Sequence, residues 1–267
     1  MVAKADHIPD DLAAPLARVM SRISPLANRV LWFPTIGSTN DMAARLADEG
    51  EPEGTVVLAD AQTAGRGRLG RVWISPPAAG LYASVILRPP KDAIDLITLT
   101  AGVALAEGLR AATGVETSVK WPNDVYVHGR KVAGILAEGG SSSSGAPHVV
   151  LGFGINLLPA ALPPEIASRA TALEAELGRA VDRGLVLAEC LVALAERYAG
   201  LRRGERAAIL ADWRTLARST FGRGVEWDGP AGVSRGVAED IDGSGALLVR
   251  TTSGRERVLA GEVRWAP

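Results

Sequence analysis

The sequence is poor in the residues that anchor several large function classes. One cysteine, Cys190, stands among 267 residues, so no internal disulfide can form, and a reduced setting is expected. The three histidines, His7, His128 and His148, lie far apart, and with the lone cysteine they show no metal-ligand spacing. The same scarcity leaves neither a Ser-His-Asp nor a Cys-His constellation, which argues against hydrolase chemistry. Net charge is only -1, so there is no general attraction to nucleic acid or anionic membrane, and any basic site must be local. No stretch approaches the roughly 20 apolar residues of a membrane span. Residues 1–11 carry Asp6, Asp10 and Asp11 and lack the basic start and apolar run of a signal peptide. A cytoplasmic protein without membrane attachment is therefore expected. There is no Walker A sequence and no internal repeat.

What is present reads as a globular chain of one or two domains, with 47% apolar and 22% charged residues. Residues 12–24 predict a short amphipathic helix stopped by Pro25, and Val30–Phe33 a strand ending at Pro34. Ser38 opens a second helix: Ser38 to Asp41 has capping-box spacing, Met42 and Leu46 sit one turn apart, and Gly50 ends it. Further strands are expected over Thr55–Ala59, Leu81–Leu87, Val115–Lys120, Val125–Val127, Lys131–Ala137 and His148–Ile155. A hairpin across His128-Gly129-Arg130 joins two of them, and Ser141–Gly145 is a flexible connection. Leu96, Leu99, Val103, Ala106 and Leu109 recur at helical spacing up to Gly114, as do Leu187, Leu191, Leu194, Tyr198 and Leu201 later. After Phe221 the texture changes to short β segments, Val225–Trp227, Gly232–Ala238, Ala246–Thr251 and Arg257–Val263. Turns such as Asp228-Gly229 and Asp242-Gly243 separate them. This pattern predicts a small barrel appended to an α+β domain.

Three segments carry candidate chemistry. In Gln62 to Trp73, three glycines let backbone approach a ligand while Arg66, Arg68 and Arg71 place three guanidiniums in six residues, a combination suited to phosphate. Gly65, Gly67 and Gly70 formally match the dinucleotide fingerprint, but that motif opens a helix, and Pro76 and Pro77 would break one here. An exposed basic turn and a thin nucleic-acid contact are the competing readings. The second segment is Lys120-Trp-Pro-Asn-Asp124. Asn123 and Asp124 suit a nucleotide, directly or through Mg²⁺, although Pro-Asn-Asp is also ordinary turn chemistry. In the following Gly129-Arg-Lys131 to Leu136, Lys131 is either an edge gatekeeper or an ammonium aimed into a site. The third is Gly152-Phe-Gly-Ile-Asn156, with glycines that mark a bulge or a close approach, and Asn156 either contacting a nucleotide or making a turn.

Taken in order, these segments resemble the biotin protein ligases over residues 30–265, through Ser38-Thr39-Asn40, Gln62 with the Gly/Arg loop, Lys120 to Asp124, Gly129 to Leu136 and Gly152 to Asn156. The resemblance implies an α+β fold, a mixed sheet with helices of the class II aminoacyl-tRNA synthetase and biotin synthetase kind, plus a C-terminal SH3-like barrel. It implies biotin contacts from Ser38, Thr39, Asn40, Gln62, Arg66, Gly67, Arg68 and Lys131, and ATP contacts from Trp73, Asn123, Asp124 and Asn156. Lys131, Arg66 and Arg68 would be catalytic, and Mg²⁺ would be held mainly by the ATP phosphates rather than by a protein metal site. The implied acceptor is the biotin carboxyl carrier protein, or carrier domain, of a biotin-dependent carboxylase. Expected limits are a helical extension over 1–29, a catalytic domain over 30–218 and the SH3-like domain over 219–267. About 30 residues before the core are too few for the DNA-binding domain of bifunctional family members, so a ligase that binds no DNA is expected. A lipoate ligase and a non-catalytic biotin-binding repressor are the alternatives; the Gly/Arg loop and near-zero charge weigh against them.

Overall fold

The computed structural model describes residues 5–229, 232–259, 261 and 263–266. Residues 1–4 of the expected extension, and 260 and 262 of the expected final strand, lie outside them. A seven-stranded sheet runs in the order β1-β2-β3-β7-β6-β5-β4. Its strands are β1 (Val30–Ile36), β2 (Val56–Gln62), β3 (Gly80–Leu87), β4 (Ser118–Lys120), β5 (Asp124–Val127), β6 (Arg130–Ser141) and β7 (Pro147–Asn156). Only β1 and β2 are parallel, joined by a crossover through helix α2 (Thr39–Asp48); every other neighbour pair is antiparallel. The sheet is mixed, as the α+β expectation requires.

Strand alternation assigns the two faces. Val56, Leu58, Val85, Leu87, Val149 and Leu151 point into the large core, which they share with α3 (Ile97–Thr113) and α5 (Arg183–Arg202). Val57, Ile86 and Val150 point the other way and meet Met42, Ala43 and Ala47 of α2. Helix α1 (Asp10–Ile23) turns Leu12, Leu16, Val19 and Ile23 into the large core, at a 4-3-4 spacing that makes one helical stripe. Each such burial contributes roughly 1.5–3 kcal/mol before entropy is subtracted. Helices α4 (Leu173–Leu177) and α6 (Arg206–Leu216) complete this side.

Several boundaries differ from expectation for identifiable reasons. Pro34 does not end β1: the strand is at the sheet edge, and Pro34 falls between the paired residues Phe33 and Thr35, where no ladder donor is needed. Strand β6 runs on to Ser141 because its pairing with β7 continues to Pro147. Only Ser118–Lys120 of the expected Val115–Lys120 strand finds a partner. His128 and Gly129, with φ of 46° and 78°, make the tight β5–β6 turn.

The C-terminal residues form a five-stranded antiparallel sheet, β11-β10-β9-β8-β12, from β8 (Gly224–Gly229), β9 (Gly232–Ile241), β10 (Leu247–Thr251), β11 (Gly254–Val258) and β12 (Val263–Trp265). The expected single strand Arg257–Val263 is two: β11 folds back on β10, and β12 pairs with β8 instead. Val225, Leu247 and Val249 join the large core, and the buried Trp121 indole donates to the Gly245 carbonyl at 2.9 Å.

Candidate active site

The site is built on the α2 face of the sheet. Across β3, β7 and β6 the registers align Tyr82, Gly154 and Gly134 in one row, Ser84, Gly152 and Leu136 in the next, and Ile86, Val150 and Glu138 in a third. Glycine opens the first two rows. A Cβ on Gly152 would stand 1.9 Å from Asn40 Oδ1, and one on Gly154 would stand 2.4 Å from the Trp73 indole. Asn40 and Trp73 therefore lie directly on the backbone of β7, an approach no larger residue permits.

At the α2 end the polar groups are buried and mutually satisfied. Ser38 caps the helix, accepting from Asp41 N at 3.5 Å. The Thr39 amide and hydroxyl both donate to Gln62 Oε1, at 2.8 and 3.1 Å. Ser84 Oγ lies 2.8 Å from Thr39 Oγ1 and donates to Asn40 Oδ1 at 2.6 Å. Gln62 Nε2 donates to Ser75 Oγ at 2.9 Å, and Asn40 Nδ2 to Glu138 Oε2 at 2.8 Å. Ser84, Thr39 and Asn40 are at most 5% exposed, so an incoming polar group would meet fixed partners away from water.

The Gly/Arg loop crosses this face and is tied at two points. Arg66 makes a fork with Glu138, at 2.9 and 2.7 Å, and reaches Asp41 Oδ1 at 2.7 Å. Arg68 donates to Asn123 Oδ1 at 3.3 Å. Within the loop, Gly67 N donates to Arg71 O at 2.7 Å and Trp73 N to Gly65 O at 2.9 Å. Arg68–Gly70 forms a single tight turn followed by extended backbone at Arg71, so no helix follows the glycines and the dinucleotide fingerprint is excluded by geometry as well as sequence. Leu69 and Val72 are 67% and 76% exposed along the loop.

The remaining polar residues gather around Lys131. Its Nζ lies 2.6 Å from Asp124 Oδ1 and 5.2 Å from the centre of the Trp73 ring. Lys131 is no edge gatekeeper, because β6 has β5 and β7 on its two sides and Lys131 also exchanges backbone bonds with Arg169 and Thr171. Asn123 is clamped in both directions to Ile135, its Nδ2 donating to Ile135 O at 2.7 Å. Asn156 Nδ2 donates to Thr171 O at 3.1 Å. Behind this group Glu176 accepts from Arg130 at 2.6 Å, from Thr171, and pairs with His128 at 2.6 Å. Burial pushes its carboxyl up, but the His128 and Thr171 hydrogen bonds and the Arg130 charge outweigh this and hold it below the ordinary carboxylate range.

A cavity of about 620 Å³ unites these parts. Ser38, Thr39, Asn40, Gln62, Arg66, Gly67, Arg68, Trp73, Asn123, Asp124, Lys131 and Asn156 all line it, so the structure brings together every site residue expected from sequence. It adds Lys120, Arg169 and, from β12, Trp265. The Lys120 ammonium lies 4.7 Å over the Trp265 ring, with the Arg223 guanidinium 4.2 Å from the same ring. Ser75, Ser84 and Glu138, which hold the wall residues in place, had no motif to mark them.

Comparison with known proteins identifies the family. Residues 32–156 match the model of the biotin/lipoate A/B protein ligase family, and residues 220–264 match the biotin protein ligase C-terminal domain. The biotin–[acetyl-CoA-carboxylase] ligase of Mycobacterium tuberculosis is 39% identical, the match covering 85% of each chain. The chain belongs to the biotin protein ligase family. A bifunctional ligase/repressor of Bacillus subtilis is 33% identical over 96% of this chain and 79% of its own length. Among solved structures, the biotin protein ligase of Aquifex aeolicus in complex with biotin and ATP superposes with a TM-score of 0.77 at 31% identity, covering 90% of this chain and 99% of that one.

Proposed function

We propose that the chain condenses biotin with ATP to give biotinoyl-5'-AMP and pyrophosphate, then transfers the biotinoyl group to a lysine of a biotin carrier domain, such as that of acetyl-CoA carboxylase. The observation that carries this reading is the convergence of a buried hydrogen-bonding pocket, a partly buried lysine and an arginine-bearing loop in one cavity. In this reading the polar wall of Ser38, Thr39, Asn40 and Gln62, with Gly67 of the loop, receives the biotin head group, and the carboxylate points toward Lys131. Trp73, Asn123, Asp124 and Asn156 take the nucleotide.

The chemistry follows from charge. A carboxylate oxygen attacks the α-phosphorus, the new O–P bond replaces the bond to the β-phosphate oxygen, and pyrophosphate leaves. Two anions must meet, and Lys131 with Arg66 and Arg68 supplies the fixed positive charge that lowers their repulsion and stabilises the charge in transfer. Asp124, 2.6 Å from Lys131 Nζ, orients the ammonium. The acyl adenylate hydrolyses in water, so the loop tied across the cavity by Arg66 and Arg68 excludes solvent until the acceptor arrives. The acceptor amine then attacks the acyl carbon and AMP departs; no protein nucleophile is required.

Among the described residues no group of three or more His, Cys, Asp or Glu is arranged to hold a metal. Asn123 Oδ1 accepts from Arg68 and Asp124 pairs with Lys131, so the oxygens present suit an ion carried in by phosphates better than a protein cage. Mg²⁺ bound to ATP would neutralise phosphate charge in the transition state.

We assign residues 30–218 to the ligase unit, 219–267 to the SH3-like domain and 1–29 to an extension. Because α1 has its apolar stripe packed into the core, we propose that it supports the ligase rather than reading DNA. We also propose a cytoplasmic location without membrane attachment; among the described residues no helix is long and apolar enough to cross a membrane. The test is incubation with ATP, labelled biotin and a carrier domain. Label on the carrier is expected, and adenylate binding without carrier labelling would refute the reading.

A further inference from the structure

Glu138 carries no motif and no role in the reaction derived above, yet it touches both the loop and the pocket wall. Its place on β6 puts it on the site face, in the row next to Leu136. One oxygen accepts from Arg66 Nη1 at 2.9 Å; the other accepts from Arg66 Nη2 at 2.7 Å and from Asn40 Nδ2 at 2.8 Å. A carboxylate can only accept, so this contact fixes which way the Asn40 amide faces. With Nδ2 on Glu138, Oδ1 is left toward the Ser84 hydroxyl at 2.6 Å. An unbroken chain of polar contacts then runs from the loop to the pocket floor: Arg66, Glu138, Asn40, Ser84, Thr39, Gln62. Asp41, one residue beyond Asn40, grips Arg66 from its other side at 2.7 Å.

We propose that Glu138 is a positioning residue that couples closure of the glycine-rich loop to the shape of the biotin pocket. This rests on the function proposed above. By holding Arg66 and Asn40 on one carboxylate, Glu138 makes an ordered loop and a correctly turned Asn40 amide parts of the same event. The Arg66, Glu138 and Asp41 side chains are 42%, 35% and 61% exposed. At that exposure the fork is a solvent-screened, individually weak contact. It is therefore weak enough to release when the acceptor enters and strong enough to bias the loop.

The experiment measures escape of preformed labelled biotinoyl adenylate, together with kcat and the KM for biotin. The proteins are wild type, Glu138→Gln, Arg66→Gln and the double variant. Glu138→Gln is expected to speed escape about fivefold, the ratio corresponding to ~1 kcal/mol at 1.4 kcal/mol per decade. The biotin KM should rise by more than kcat falls. In the Arg66→Gln background the same change should speed escape by less than it does alone, since one of the two partners of Glu138 is gone. Wild-type escape should also quicken as KCl is raised, without any mutation that risks the fold. Wild-type escape from Glu138→Gln, independent multiplying effects in the double variant, or a flat salt profile would each overturn the proposal. Failure of the wild type to label a carrier would instead count against the parent reading, and the two failures are separately visible.

Discussion

Gly152 and Gly154 are two residues apart on β7 and face the same way, but substitution at each meets a different neighbour. At Gly152 an added Cβ would stand 1.9 Å from Asn40 Oδ1 and 2.8 Å from Asn40 Cγ. Asn40 has no room to retreat, being 5% exposed and bonded to Ser84, Glu138 and, at 3.4 Å, the Leu136 carbonyl. Gly152→Ala must displace that amide. Two neutral hydrogen bonds near 1 kcal/mol each and one to a carboxylate near 1.5–3 kcal/mol are lost or bent. The better strand entropy of alanine returns about 0.5–1 kcal/mol. A net loss of about 2.5–4.5 kcal/mol follows, or a fall of about 5–18 °C in melting temperature for a chain of this size. At Gly154 the Cβ would meet the Trp73 indole at 2.4 Å, and Trp73 is a half-buried side chain that lines the cavity and is no part of the hydrophobic core. Gly154→Ala should therefore keep its melting temperature within ~2 °C while weakening ATP binding at least tenfold. Calorimetric melting with separate titrations of biotin and ATP decides the matter. If Gly152→Ala melts like wild type and binds biotin normally, the placement of Asn40 on the β7 backbone is wrong.

Three further outcomes follow from the site. Lys131→Ala should cut adenylate formation by about 10²–10³ with an unchanged circular-dichroism melt; pyrophosphate release at the wild-type rate would remove Lys131 from its role. Arg68→Gly breaks the tie to Asn123 and should let adenylate leave several-fold faster, read as hydrolysed biotin and AMP in the absence of carrier; retention equal to wild type would contradict the closed-loop reading. Glu176 has its folded-state carboxyl held below the usual 4.5. Its contribution to stability is therefore present above that pH and is lost as pH falls through the lower folded value. Glu176→Gln should cost about 1–2 kcal/mol in urea unfolding at pH 7, a gap that closes below about pH 4.5. An equal gap at pH 7 and pH 3 would show that ionisation is not its source.

Local signals in the sequence were enough for much of the fold. Ser38 caps its helix as the spacing from Ser38 to Asp41 predicts, and Gly114 closes α3 in the left-handed conformation. The twelve residues proposed for the site are legible because five segments, each weak alone, occur together in one order. What is not legible depends on register. Ser84 reads as an interruption in an apolar strand, and Glu138 as a charge near a strand end, until pairing with β7 sets them in neighbouring rows on the site face. Pro34 reads as a strand breaker because sequence does not reveal that β1 is an edge. Arg257–Val263 reads as one strand because local β propensity cannot tell that its two ends pair with β10 and β8. The contribution of Trp265 to the cavity had no local signal at all, since its partner Lys120 lies far back in the chain.

That last contact bears on how a working molecule is made. Val263, Arg264 and Trp265 close one wall of a cavity whose ammonium, Lys131, is synthesised more than a hundred residues earlier. A chain still on the ribosome, with the large sheet formed but β12 undelivered, would have its lysine, glycine floor and arginine loop in an open trough. A molecule clipped ahead of β12 would keep the large sheet that carries Lys131 yet lack one wall of the cavity.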